Sequence, residues 1–273
     1  YRIQTTVSKI GEDDPVVAHA LLNAAMRWLA ARGLETIRGP VNFSMNDEVG
    51  FLVEGFETPP YILMPYTRPY YPALMEQCGL QKAKDLLAYR VTRESYTTAL
   101  PELDRWRRLG EHLRRRYQVI IRPARLDRFN EEVAKLKEVY NQAWVANWGF
   151  VPLTDAEITQ MAKDFRDVIV PDLVLFAEIA DCPIAVILSL PDFNQVFKRM
   201  NGRLFPFGLL QFLWYRRKIT RMRTLALGIV PEWQKRGIGP LLILETAERG
   251  LHRGYQEAEL SWVLEDNALM NNT

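Results

Sequence analysis

Cysteine is scarce. Cys78 and Cys182 lie far apart and outside any CxxC or CxxH spacing, so neither a disulfide framework nor a zinc site is encoded. A reducing, cytoplasmic compartment is the simplest expectation. A dominant charge sign is also missing. The 35 Lys and Arg against 33 Asp and Glu leave +2, far from the basic excess of a protein whose main partner is nucleic acid. No apolar run approaches the ~20 residues that cross a bilayer, and the start has no basic-then-apolar leader pattern. The longest apolar stretch, 204–215, is too short to cross. Three histidines, His19, His112 and His252, share no motif and read as structural or surface residues. What is present is a globular composition, 48% hydrophobic and 25% charged, sufficient for one large domain or two modest ones.

Asp14 followed by Pro15 is a helix-start signal, and Val17, Leu21, Ala24, Ala25 and Trp28 then recur at helical spacing up to Gly33. A strand is expected at 35–38, a turn-rich segment at 39–46, and an ordered Pro/Tyr-rich loop at 59–72. Residues 103–116 pattern as an amphipathic helix, whose arginines read as a solvated face rather than a polyanion site. From Tyr117 the expectation is a strand at 117–122, a helix at 127–144, and a helix opened by the capping box of Thr154 and Glu157. Apolar strands at 173–179 and 184–190 flank the turn at 180–183 and suggest an antiparallel hairpin. A strand at 224–229, a glycine loop at 234–239, a helix from Pro240 to about 253 and a strand at 257–263 complete the order β-α-α-β-β-β-α-β.

That order, with a glycine loop between its fourth strand and the next helix, resembles the GNAT superfamily of acyl-CoA N-acyltransferases. Gln234, Gly237 and Gly239 match its Q/R-x-x-G-x-G/A loop, Pro231 and Glu232 precede it, and Asn267 follows the next strand. The implied fold is α/β with a mixed sheet. Aligning Gly33 with Gly254 also aligns Leu34 with Tyr255 and Asn46 with Asn267. This echo implies a tandem form: a degenerate GNAT-like lobe over 1–100 that lacks the glycine loop, a linker helix at 101–116, and a GNAT domain over 117–273.

The resemblance implies acetyl-CoA or a longer acyl-CoA as co-substrate, with no metal. Successive backbone N–H groups at a helix start suit a pyrophosphate, and Gly237 and Gly239 let the backbone approach it while Lys235 and Arg236 add charge. The expected cofactor-binding residues are Leu227, Ile229, Gln234, Lys235, Arg236, Gly237, Ile238, Gly239 and Asn267. Asn267 reads equally well as a helix N-cap. The pantetheine arm would lie between 225–229 and 259–263, the N–H near Ile229 would stabilise the oxyanion, and Gly228 sits where the strand would bulge. For the base, Asp192, Glu265 and Glu259 are candidates, each also readable as a turn or capping residue. The donor tyrosine that many family members place about seven residues past the Asn would fall beyond Thr273. Asn147, Trp148 and Phe150, with Asn194, are candidates for the acceptor pocket, a packed core loop being the alternative for the first three.

The implied reaction is acyl transfer to a primary amine. Two rivals are a non-catalytic acyl-CoA-binding scaffold and a tandem transferase using aminoacyl-tRNA, the latter disfavoured by the neutral charge balance and the intact loop. Residues 204–215 carry one polar side chain in twelve, and Arg216, Arg217, Lys218, Arg221 and Arg223 follow at once. Apolar area beside positive charge suits an anionic headgroup region, so peripheral membrane contact through 204–218 at the inner face of a membrane is one expectation. A core or homodimer helix is the other. Acylation of a long-chain amine, as in GNAT-like bacterial ceramide synthases, would suit this segment, although no residue specifies it.

Overall fold

Asp14 caps the first helix, α1 (Pro15–Ala30), through one carboxylate oxygen that accepts from the N–H groups of Val16 (2.8 Å) and Val17 (3.3 Å). The computed structural model describes residues 14–272 except Phe43, Ala146, Gly202 and Leu204. Ala18 and Leu22 of α1 pack with Leu74 and Met75 of α2 (Tyr71–Gln77). These elements belong to one compact unit, the residues up to Asp85 together with Gly149–Val151. Residues 35–38 do not form the expected strand, and an isolated bridge between Val41 and Val49 is the β pairing described in this unit.

The second unit, Leu86–Trp148 with Pro152–Thr273, holds one six-stranded sheet. Its strands are β1 (Leu86–Thr92), β2 (Ile120–Pro123), β3 (Val174–Ile179), β4 (Cys182–Pro191), β5 (Arg221–Ile229) and β6 (Glu257–Leu264), in spatial order β1-β6-β5-β4-β3-β2. All neighbours are antiparallel except β5 and β6. One face carries α5 (Phe129–Ala143) and α6 (Asp155–Phe165), the latter opened by the expected capping box of Thr154 and Glu157. On the other face lies α9 (Ile238–His252), with α4 (Leu100–Tyr117) packed on it. The core joins Val139, Phe176, Val186, Ile187, Leu241 and Leu242. Two short helices, α7 (Asn194–Met200) and α8 (Gly208–Tyr215), are inserted between β4 and β5. The remaining helices are α3 (Arg93–Thr98) and α10 (Ala268–Asn271), and Thr273 lies outside the described residues.

This single mixed sheet overturns the expectation of two GNAT-like lobes. Residues 86–92, which fell inside the expected first lobe, pair antiparallel with β6, and the unit before them has no sheet among its described residues. The echo has a local cause. Gly33 (φ 71°) and Gly254 (φ 94°) both end helices in the left-handed region. In each case the next N–H reaches back five residues, Leu34 to the Leu29 carbonyl and Tyr255 to that of Gly250. Two copies of one helix stop resemble each other whatever surrounds them.

Candidate active site

The parallel strands β5 and β6 pair only where Arg221–Thr224 meets Glu257–Leu260. Past Thr224 and Leu260 they part, and a cleft opens between Leu225, Ala226 and Leu227 on one side and Ser261–Leu264 on the other, with Trp144, Asn147, Asn267 and Met270 at its borders. Leu225 marks the point of separation. Ala226 faces Leu188 and Thr224 faces Ser189, so Leu225 has no partner on β4 and is the extra residue of a bulge. The bulge therefore lies three residues before Gly228, where sequence reading put it. Gly228 answers a packing need instead, because a Cβ there would lie 2.5 Å from the Trp144 ring.

Beyond the cleft β5 runs into the glycine loop. Pro231–Trp233 make one 3₁₀ turn, Gln234 is extended, Lys235 (φ 61°) and Gly237 (φ 87°) are left-handed, and α9 begins at Ile238. No side chain caps α9, so its first N–H groups lack a capping acceptor. Gly237 is favoured by its left-handed φ, and a Cβ there would also meet Leu109 Cδ2 at 2.5 Å unless that side chain moved. Gly239 packs under Leu227 and Ile229, and Ile238 is fully buried. The Gln234 amide donates to the Ile229 carbonyl (3.1 Å) and ties the loop to the strand. Arg236 stacks over Trp233 (4.9 Å), while the Lys235 side chain is exposed.

A buried polar cluster lies where the strands begin to part. Arg223 Nε donates to Ser261 Oγ (2.8 Å), and Ser261 Oγ donates to Glu259 Oε1 (2.6 Å). Beside it the Ser189 and Thr224 hydroxyls lie 2.8 Å apart. Burial raises the Glu259 carboxyl above its ordinary range, with Ser261 and Arg223 opposing, and burial lowers the Arg223 guanidinium to about 10. Ser261 also lines the cleft, so it links Glu259 to that space.

The other expected residues are spread more widely. Asp192 is 0% exposed, pairs with Arg221 (2.5 Å) and accepts from the Asn194 N–H (3.2 Å), which fixes the turn from β4 into α7. Glu265 is exposed just after β6. Asn267 caps α10 by accepting from the Met270 N–H (3.2 Å), which bears out its capping reading, and it also lines the cleft. Asn147 lines the cleft, Trp148 follows it half-buried, and Phe150 belongs to the first unit. Arg223, Ser261 and Trp144 were not singled out as site residues. A charged residue inside an apolar strand is the one local signal that could have drawn attention to Arg223.

A second cavity, almost wholly apolar, lies between α5, α6 and the sheet, lined by Leu126, Phe129, Leu136, Met161, Phe165 and Leu188 among others. It is partly open to solvent and has a cavity volume of about 70 Å³, well below the roughly 300–1,000 Å³ of pockets that hold a whole drug-sized ligand. Leu188 is the cross-strand partner of Ala226, so cavity and cleft adjoin across one strand spacing.

No protein-family model matches the sequence. The chain is 40% identical over 267 residues to Protein YghO of Escherichia coli (strain K12), covering 95% of this chain and 67% of that protein. It is 37% identical over 268 residues to the bacterial ceramide synthase of Caulobacter vibrioides (strain NA1000 / CB15N), covering 96% and 68%. Among solved structures, a GCN5-related glucosamine N-acetyltransferase region of a fungal β-N-acetylglucosaminidase matches at 13% identity and TM-score 0.44, over 74% of this chain and 21% of that one. Likeness at that level assigns nothing. The two long sequence matches do, and this chain belongs to the family of YghO and the bacterial ceramide synthase.

Proposed function

We propose that this chain is an acyl-CoA-dependent N-acyltransferase acting on a primary amine, with a long acyl chain and a lipid-like acceptor. The separation of β5 from β6 at the Leu225 bulge, running directly into an uncapped helix start, carries this reading. Acyl-CoA would supply an activated thioester. The N–H groups of 235–239 suit its pyrophosphate, with Lys235 adding charge and Gln234 holding the loop. Leu225–Leu227 border the cleft and Ile229 does not, so we assign the oxyanion donor to a backbone N–H at the bulge.

As the amine nitrogen bonds to the thioester carbon, the C–S bond breaks, and the nitrogen loses a proton while the thiolate gains one. Glu259, reached through Ser261, is the base these positions support best, because its raised pKa brings it closer to neutral working pH. Asn147 and Asn267 would contact the acceptor and the pantetheine arm. The apolar lining beside Ala226 offers an acyl chain a dry surface, and the length of that chain is proposed from the likeness to the Caulobacter relative. The Caulobacter relative is named for ceramide, an amide of a long-chain amine, which accords with this substrate class.

A thiol-release assay over acetyl- to palmitoyl-CoA and a panel of amines tests the reading. Long acyl-CoA with a long-chain amine is expected to turn over fastest. Ala162 also lines the apolar cavity, and Ala162→Trp should lower kcat/KM for palmitoyl-CoA by roughly tenfold, the effect of losing about two buried methylenes, and alter acetyl-CoA far less. Failure to bind CoA or release thiol would overturn the proposal, whereas CoA binding without turnover would support the scaffold alternative.

A further inference from the structure

The insertion between β4 and β5 is a helical hairpin with two kinds of surface. Its inner side is closed by stacked rings, Phe193 on Phe212 (5.8 Å) and Phe197 on Phe212 (6.4 Å), with Val196 buried beneath. Its outer side covers nothing described in this chain. Phe205 (77% exposed), Phe207 (66%), Leu210 (65%) and Trp214 (65%) project there, with Leu209 and Leu213 between them. Such a concentration of exposed large apolar side chains marks a surface that meets something else. Leu204, the first residue of the apolar stretch, lies outside the described residues.

Charge identifies the partner. Residues 194–218 contain Lys198, Arg199, Arg203, Arg216, Arg217 and Lys218 and no Asp or Glu, in a chain whose net charge is only +2. All six cations are exposed and bracket the apolar ridge in sequence, and Lys218 sits over the Trp214 ring (5.1 Å) while Arg199 sits over Tyr215 (4.7 Å). A cation held at the level of an interfacial aromatic is the arrangement of a helix resting among lipid headgroups. No described helix is long and apolar enough to cross a membrane, so the hairpin would rest on it rather than span it.

We infer that the α7–α8 hairpin docks this protein on an anionic lipid surface, the apolar ridge entering the headgroup boundary and the six cations meeting acidic headgroups. A second copy of the chain fits less well, because an isologous pairing would bring like-charged rims together. This inference does not depend on the transfer chemistry.

Flotation of the full chain with vesicles of equimolar phosphatidylglycerol and phosphatidylcholine, against phosphatidylcholine alone, is the test. The wild type is expected to float with the anionic vesicles. A Phe207→Asp, Leu210→Asp, Trp214→Asp variant should stay in the soluble fraction with an unchanged melting temperature, since all three side chains are exposed. Replacing Arg216, Arg217 and Lys218 by Ser should lower partitioning by about fivefold per charge, on the order of a hundredfold in all. Wild type that remains soluble, or a triple-Asp variant that floats equally well, would overturn the inference. So would a concentration-dependent wild-type dimer that fails to float and that the triple-Asp variant dissociates, which would assign the ridge to self-association.

Discussion

Glu259 is largely withdrawn from solvent and negative on ionisation, and that combination decides its pH behaviour. Burial raises its carboxyl above the ordinary value, so the folded state holds the proton more tightly than the unfolded chain does. Its contribution to stability is therefore fully present below the unfolded value and is lost as pH rises through the folded value. The same shift makes it a better base, active only once deprotonated. Thiol release should rise with pH through an apparent value above the ordinary carboxylate range, and Glu259→Gln should lower the rate by roughly 10²–10⁴-fold and remove that limb. A variant that keeps both rate and limb places the base elsewhere. At Gly237 a side chain fails twice, against its φ of 87° and against Leu109 at 2.5 Å. Gly237→Val is expected to cost about 1–3 kcal/mol in strain and to weaken CoA binding at least tenfold. Unchanged affinity by calorimetry would detach the loop from CoA.

Between elements, the strongest polar tie is Arg122 on β2. It donates to both oxygens of Glu178 on β3 (2.6 Å each) and both of Glu132 on α5 (3.0 and 2.8 Å), while Lys135 adds a contact to Glu178 (2.7 Å). Burial would raise the Glu178 carboxyl, but Arg122 and Lys135 outweigh it and hold it below its ordinary value. That stability is present above the unfolded value and is lost as pH falls through the folded one. Arg122→Ala leaves two buried carboxylates without their main partner and should cost about 3–5 kcal/mol at neutral pH. The variant's stability should then improve as pH falls toward the ordinary carboxylate value, whereas the wild type's loss through Glu178 sets in only below that value. Urea unfolding across that range checks both slopes, and parallel slopes would contradict the account. None of this tie was legible in the sequence, because Arg122, Glu132 and Glu178 are joined only by folding. Caps were legible, since Asp14 and the Thr154–Glu157 pair act within three residues of themselves. β1 was missed because what makes 86–92 a strand is β6, far along the chain.

For the molecule as a whole, one sheet means one place where parallel neighbours part. The glycine loop was readable because turn, glycines and helix start are contiguous, whereas the Arg223–Ser261–Glu259 cluster and the Leu225 bulge exist only once β4, β5 and β6 are side by side. Among the described strands β5 and β6 are the one parallel pair, and they are the neighbours that part to open the cleft. Saturation with CoA should therefore give one equivalent per chain. The two compact units permit separate melting, so a single midpoint need not describe the protein. If two transitions are resolved, CoA should raise only the one in which strand circular dichroism is lost. A ligand at a hundred times its Kd adds about 2.7 kcal/mol, which at ~2–4 °C per kcal/mol raises that transition by roughly 5–11 °C. Two equivalents at saturation, or a shift confined to the other transition, would mean that the parted strands are not where CoA binds.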